Sequence, residues 1–282
     1  MKKLIVNADD FGLHTLINQG IIKGFRDGFI TSASLMPSAP AYAEAVELAQ
    51  ANPDFGVGIH LTLVGGVPPL LPPEQVPTLV DARGLFPDSY VEFAKRFYLG
   101  RVNDYELECE LRAQIERALA SGVRITHLDS HQHTHVLPFV NKLVLKLCNE
   151  YNIKRVRIPR EDYFFSGGFH AGFGRRLGRC GLSFCAEMAA LAADSLRLAH
   201  PRHFFGMLAG GHLTPSLVGN ILRSLPEGKS ELMTHPGLDT ATLARSFAWG
   251  YTWETELSSY LAEENKELLR QLDIQLINFA DL

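Results

Sequence analysis

Residues 4–12 read LIVNADDFG. A short apolar run with a β-branched centre breaks on two adjacent carboxylates and a glycine. That is the pattern of a buried strand running out into a loop. A doubly wound dinucleotide-binding sheet would follow its first strand with G-x-G-x-x-G; here Asp9, Asp10, Phe11 and Gly12 stand in that place. Leu16, Ile17, Ile21, Ile22 and Phe25 then recur at helical spacing. The alternation continues. Strands are predicted over 30–36, 57–63, 123–129, 156–159, 232–234 and 274–279, and helices over 41–49, 105–120, 138–151 and 257–272. The proline-rich stretch 67–77 reads as loop. Strand–helix alternation along the whole chain implies a parallel sheet covered by helices. The expected fold is α/β: a distorted (β/α) TIM-like barrel forming a single domain over 1–282. An open doubly wound sheet is the runner-up.

Composition narrows the function. The chain has 282 residues, 46% hydrophobic and 21% charged, with a formal net charge of −4. This is the balance of an ordinary globular protein, and it lacks the basic excess of a nucleic-acid binder. Cys109, Cys148, Cys180 and Cys185 form no C-x-x-C pair, which excludes a disulfide scaffold and a cysteine-zinc module. The apolar run at the start is too short for a secretory signal, and no uncharged stretch of about 18 residues predicts a membrane span. A cytoplasmic protein is expected.

Four predicted strands end in residues that bind metals or move protons. The first ends in Asp9-Asp10 and the third carries GIHLTL (58–63). The fourth runs into THLDSHQHTH (126–135), and a late one ends in MTHPG (233–237). In parallel α/β proteins functional groups gather at these carboxyl ends. Taken singly, each has an ordinary explanation: Asp9-Asp10 as a helix cap with a solvated neighbour, His60 as a hydrogen-bonded core histidine, His235 as a turn residue. Together they are hard to ascribe to packing. His127, Asp129, His131, His133 and His135 alternate, so an extended segment would set them on one face. In a coil, His131 and His135 would instead be i, i+4 neighbours. One carboxylate with two imidazoles can hold a divalent ion and leave positions open for water and substrate. A second carboxylate could then take a proton from that water, and another imidazole could deliver one to a leaving group. No G-x-S-x-G, Walker A or H-E-x-x-H motif competes with this reading.

These motifs, with VRIPRE (156–161), YTWE (251–254) and QLINF (275–279), resemble the YdjC family of carbohydrate deacetylases, which includes the chitooligosaccharide deacetylases. The resemblance spans nearly the whole chain and is closest to the hopanoid-biosynthesis-associated branch. It implies a distorted barrel that removes N-acetyl groups from amino sugars with one bound divalent metal; an Asp with two His suits zinc, and open water positions also admit magnesium, cobalt or manganese. It implies Asp10, His60 and His131 as metal ligands, Asp9 as general base and His235 as general acid. Asp129, His133, His135 and Arg157 fall to supporting or substrate-binding roles. The alternation does not say which imidazole of the run binds; the choice of His131 comes from the family pattern. The branch implies a lipid-linked N-acetylglucosamine substrate, which would bring the protein to the inner face of the membrane. A soluble chitooligosaccharide is the alternative.

Residues 163–212 stand apart, with 7 of the 17 Phe, 9 of the 24 Gly, five Arg and no Lys. They read as an apolar insertion on the barrel. The ordinary account is packing, and the sharper one is a lid with a cationic rim facing a lipid or membrane. Rival functions are a non-haem iron oxygenase, which also uses two His and one carboxylate, and a non-catalytic sugar-binding module. A homo-oligomer is compatible with all of them.

Overall fold

The first strand organises the sheet. The computed structural model describes residues 1–282. In it β1 (Lys2–Phe11) is followed by α1 (Thr15–Arg26), β2 (Ser32–Leu35), α2 (Tyr42–Gln50), β3 (Gly56–Leu61), α3 (Tyr90–Tyr98), α4 (Asp104–Ala120), β4 (Ile125–Ser130) and α5 (Pro138–Glu150). Then come α6 (Phe173–Ser195), β5 (His203–Phe205), α7 (Pro215–Ser224), β6 (Gly228–Thr234), α8 (Thr240–Ser246), α9 (Trp253–Leu261), α10 (Glu263–Gln271) and β7 (Ile274–Leu276). The strand order is β4-β3-β2-β1-β6-β5, all parallel. β7 pairs with the first residues of β1, whereas β2 pairs with its last. The curled parallel sheet with helices outside is the distorted barrel expected.

Side-chain alternation gives the barrel two chemically different faces. Leu4, Val6 and Ala8 of β1, Val57, Ile59 and Leu61 of β3, Leu128 of β4 and Leu232 of β6 belong to the main apolar core. The intervening positions carry Asn7, Asp9, His60, His127, Asp129 and Glu231, all buried. Only Ile5, Ile277 and Phe279 form a small apolar cluster apart from the main core. Gly58 makes room for this polar interior: a Cβ there would lie 2.3 Å from the His127 ring.

Several elements differ from the sequence reading. β1 extends through Asp9 and Asp10 to Phe11, with a register shift between Ala8 and Phe11 and Asp10 at φ 66°. A bulge of this kind re-aims a side chain at a strand end. The strand expected over 156–159 is reduced to single bridges, Leu128 with Val156 on one side and Glu161 with Phe204 on the other. That irregular segment spans the seam between β4 and β5. The helix expected over 257–272 breaks at Ala262 into α9 and α10. Helices α3, α7 and α8 were not anticipated. Residues 163–212 divide into an irregular stretch, the long helix α6, and β5 with its following loop; β5 is itself a strand of the sheet.

The histidine run requires its own correction. β4 ends at Ser130, and His131–Val136 form a tight 3₁₀ turn in which Gln132 (φ 50°) and His133 (φ 58°) are left-handed. Non-glycine residues in this region are strained, and such strain concentrates at functional sites. The extended alternation therefore holds only for His127 and Asp129. The other three histidines point to different surroundings.

Candidate active site

The site lies at the carboxyl ends of β1, β3, β4 and β6. Its centre is Arg157, fully buried in the seam segment. The guanidinium donates to both oxygens of Asp9 at 2.6 and 2.8 Å and, through Nε, to Glu231 at 2.8 Å. It also pairs with Asp129 at 2.8 Å. Asp9 and Asp129 are thereby held in fixed planes by one planar cation. Asn7 donates to Asp9 at 3.1 Å and to Ser34 at 2.8 Å, and Ser34 donates to Asp129 at 2.6 Å. Burial raises the Asp129 pKa, but the charges of Arg157 and His60 outweigh it and hold the carboxyl well below its usual range. Burial pushes Glu231 up to about 8 against the pull of Arg157.

Asp129 in turn orients His60. His60 Nδ1 donates to Asp129 at 2.7 Å, which leaves Nε2 directed at Asp10 (3.6 Å) and Asp9 (3.9 Å). His131 Nδ1 lies 2.9 Å from Asp10 Oδ1. The ligand-capable atoms of Asp10, His60 and His131 fall within 4.8 Å of one another. Burial alone would lower the His60 pKa, but Asp129, Asp9 and Asp10 raise it to about 10. Burial likewise opposes the Asp10 carboxylate, yet His131 and His60 bring it well below its usual value. The cluster thus favours positive charge at its centre, supplied by a proton or a metal ion. A divalent cation fits these residues: His60 Nε2 and Asp10 Oδ2 are buried without any hydrogen-bond partner, and the carboxylate–imidazole set matches the preferences of such an ion. The second triple, Asp9, His60 and Asp129, is unsuited because both of its carboxylates already serve Arg157.

A cavity of about 210 Å³ opens beside this cluster, and Asp9, His131, His133 and His235 all line it. Tyr90, Arg175, Leu182, Met207 and Tyr251 contribute to its walls. His235 sits at the end of β6. Its backbone N–H donates to Glu256 at 2.6 Å, its Nδ1 has no partner, and its ring is 4.8 Å from that of Tyr251. His133 faces the cavity with Nδ1 unpaired, edge-on to Phe204. Burial pushes its pKa well down, so its ring is neutral.

The other two histidines of the run hold structure. Burial lowers His127 to about 3, and its ring stacks on Phe279 at 3.6 Å. His135 is lowered to about 4 by burial. It lies 2.7 Å from Ser130 Oγ and donates Nε2–H to the Arg157 carbonyl at 3.0 Å. It therefore supports Arg157 from behind the site and does not line the cavity.

Several contributors were not read from the sequence. Glu161 accepts the backbone N–H groups of Gly206, Met207 and Leu208 at 2.8–3.0 Å. Glu256 accepts from Leu213, Thr234 and His235. Both buried carboxylates staple loops at the cavity. Glu161 and Tyr251 lie inside quoted motifs, and Glu231 is a charge set in an apolar strand; those were the available signals. Asn7 and Ser34 carried none.

Fold and site together define a parallel α/β barrel with a carboxylate–imidazole ligand set and a second carboxylate at its mouth. The profile of the YdjC-like protein family matches residues 3–271, and the chain belongs to that family. It is 36% identical over 282 residues to a carbohydrate deacetylase of Brevibacillus brevis, covering 99% of each chain. It is 29% identical over 282 residues to a carbohydrate deacetylase of Clostridium beijerinckii, covering 99% of this chain and all of that one. A solved structure from Enterococcus faecalis, named as a candidate cellobiose-phosphate cleavage protein, superposes with a TM-score of 0.79 at 26% identity. That match covers 99% of this chain and 98% of the other.

Proposed function

We propose that the protein is a metal-dependent hydrolase that removes the N-acetyl group from an N-acetylglucosamine-containing substrate. The observation that carries this reading is the juxtaposition of a clamped Asp9 with the unpaired ligand atoms of Asp10 and His60, beside a cavity that Asp9, His131 and His235 line. The relatives named carbohydrate deacetylases support it.

Asp10, His60 and His131 would hold the ion. A divalent cation bound there supplies polarisation of the acetyl carbonyl and acidification of a water. Asp9, fixed in plane by Arg157, takes a proton from the attacking water. The hydroxide oxygen bonds to the acetyl carbon and the amide C–N bond breaks. His235 gives its proton to the departing amine, so acetate and a free amino sugar leave. Asp129 keeps His60 in the tautomer whose Nε2 lone pair is free for a ligand. The apolar side chains Leu182 and Met207 provide a wall for the acetyl methyl. Glu256 anchors the backbone at His235, and Tyr251 packs on its ring.

The branch resemblance makes a hopanoid glycolipid the first substrate to try and a soluble chitooligosaccharide the second. A glycolipid would draw the enzyme to the inner membrane face. A coupled acetate assay tests both, run with zinc, magnesium, cobalt or manganese in turn on acetylated glycolipids and N,N′-diacetylchitobiose. Acetate released from the glycolipid alone supports the lipid reading, and release from chitobiose alone rejects it. Sugar binding without acetate from any substrate would make the protein a binding module.

A further inference from the structure

The turn after β4 holds its polar side chains firmly, with one exception. Gln132 and His133 are both left-handed, at φ 50° and 58°, a conformation that strains any residue with a Cβ. The Gln132 side chain accepts from the Tyr90 N–H and donates to the Asp88 carbonyl, each at 3.0 Å. His135 bonds to Ser130 and to the Arg157 carbonyl. The turn is thus bolted both to the start of α3 and to the seam segment. Between these anchors stands His133, whose ring has only aromatic neighbours: Phe204 edge-on at 5.6 Å and His135 at 6.4 Å. It is buried and lines the same cavity as Asp9, His131 and His235. Its Nδ1 is enclosed without a partner, which leaves Nε2 as the nitrogen open to a ligand. The ring belongs to neither group of ligand-capable atoms lying within 4.8 Å of one another, so it is not held for the ion. A buried imidazole without a partner is costly. Together with the backbone strain, it marks a place where a ligand completes the bonding.

We infer that His133 is a specificity-determining residue that bonds the 3-hydroxyl of the amino sugar, so that the substrate class is N-acetylated sugars with that hydroxyl free. The inference rests on the deacetylase reading. In that reaction the acetyl carbonyl is polarised and the amide nitrogen takes the His235 proton, so both are already engaged. The cavity is about 210 Å³, below the roughly 300–1,000 Å³ that encloses a drug-sized ligand. A group meeting its wall therefore lies on the same sugar ring as the reacting amide. When C1 carries a glycosidic link, the one hydroxyl next to the acetamido-bearing carbon is that on C3. A hydroxyl both donates and accepts, so it pairs with Nε2 in either tautomer. A sugar with an ether at O3, such as a 3-O-lactyl group, could only accept and would have to fit its substituent against that wall.

Calorimetric titration measures this. The Asp9→Asn protein, loaded with zinc, binds ligand without consuming it. It is titrated with octyl N-acetyl-β-glucosaminide, a glycoside that serves for a soluble or a lipid-linked sugar, and with the 3-deoxy analogue. Loss of the hydroxyl should weaken binding at least about tenfold. With His133→Phe added, the two ligands should bind within about twofold of each other. His133→Gln, which returns an amide nitrogen near the place of Nε2, should restore part of the preference. Zinc content and the far-ultraviolet circular dichroism spectrum should be the same in all three proteins. Equal binding of both ligands by the Asp9→Asn protein overturns the proposal. So does a full preference in the His133→Phe protein, or no binding of the octyl glycoside at all. Acetate release by the wild type is measured separately. Acetate without a 3-hydroxyl preference removes the role of His133 and leaves hydrolysis standing, whereas the preference without acetate does the reverse.

Discussion

Arg157 has no exposed surface and is ringed by three carboxylates, while Phe173, at the start of α6, is 82% exposed. The barrel interior holds charge where most cores hold hydrocarbon, and the outer side of α6 holds hydrocarbon where most surfaces hold charge. Each inversion has a different physical basis. In the interior, the strands β1 to β4 and β6 give apolar positions to the helices and set Asn7, Asp9, Ser34, His60, Asp129 and Glu231 into a polar network, so burial is tolerated because Arg157, His60, Asn7 and Ser34 find partners. On α6 the outward apolar side chains Phe173, Leu177, Phe184, Met188 and Leu191 stay exposed, with nothing in the chain packed over them. The buried polar groups thus hold one another in place, while the apolar stripe of α6 is surface that the chain leaves uncovered.

The sharpest way to break the comparison is to cut the interior network. Arg157→Met leaves Asp9 and Asp129 buried without their counter-charge. It should cost about 3–5 kcal/mol in urea unfolding, the usual penalty for orphaning a buried ion pair. A loss below about 1 kcal/mol would mean the interior admits water and is not a dry network.

A smaller effect comes from Glu161, which staples the loop after β5. Burial pushes its pKa up to about 7 despite the backbone N–H donors and Arg179 that pull it down. The folded chain therefore holds this proton through a range in which the unfolded chain, at its ordinary 4.5, has released it. The stabilisation is fully present below about pH 4.5 and is lost as pH rises through about 7. Glu161→Gln keeps an acceptor for the loop but removes the titration. Its unfolding free energy should flatten across that window by up to about 2–3 kcal/mol relative to wild type. Parallel pH profiles for the two proteins would refute the buried carboxyl.

The smallest expected effect lies on the outside. Phe184→Asp, at a side chain exposed on the outer face of α6, should change unfolding free energy by no more than about 0.5 kcal/mol. A loss of several kcal/mol would show that the stripe packs within its own chain.

Much of this was legible in the sequence, for identifiable reasons. The parallel barrel followed from strand–helix alternation and from Asp9-Asp10 standing where a glycine-rich turn would be. The gathering of carboxylates and imidazoles at strand ends followed from the strand reading, whereas the choice of Asp10, His60 and His131 among them came from the family resemblance. Periodicity failed at the histidine run, because the left-handed residues Gln132 and His133 end the strand alternation after Ser130. It also missed the staples Glu161 and Glu256, whose partners are backbone N–H groups 45 and 21 residues away. The stretch 163–212 reads as one block of Phe, Gly and Arg. Only the helical phase of α6 separates the side chains that wall the cavity from those that face outward.

The central claim is that the polar interior performs hydrolysis of an N-acetyl sugar with Asp9 as its base. The direct measurement is acetate and free amine released by wild type and by Asp9→Asn, both supplied with the same divalent ion and checked for equal metal content. The account predicts equimolar acetate and amine from the wild type and a loss of at least about 100-fold in the variant. Equal rates in the two proteins, or acetate from neither, would contradict it.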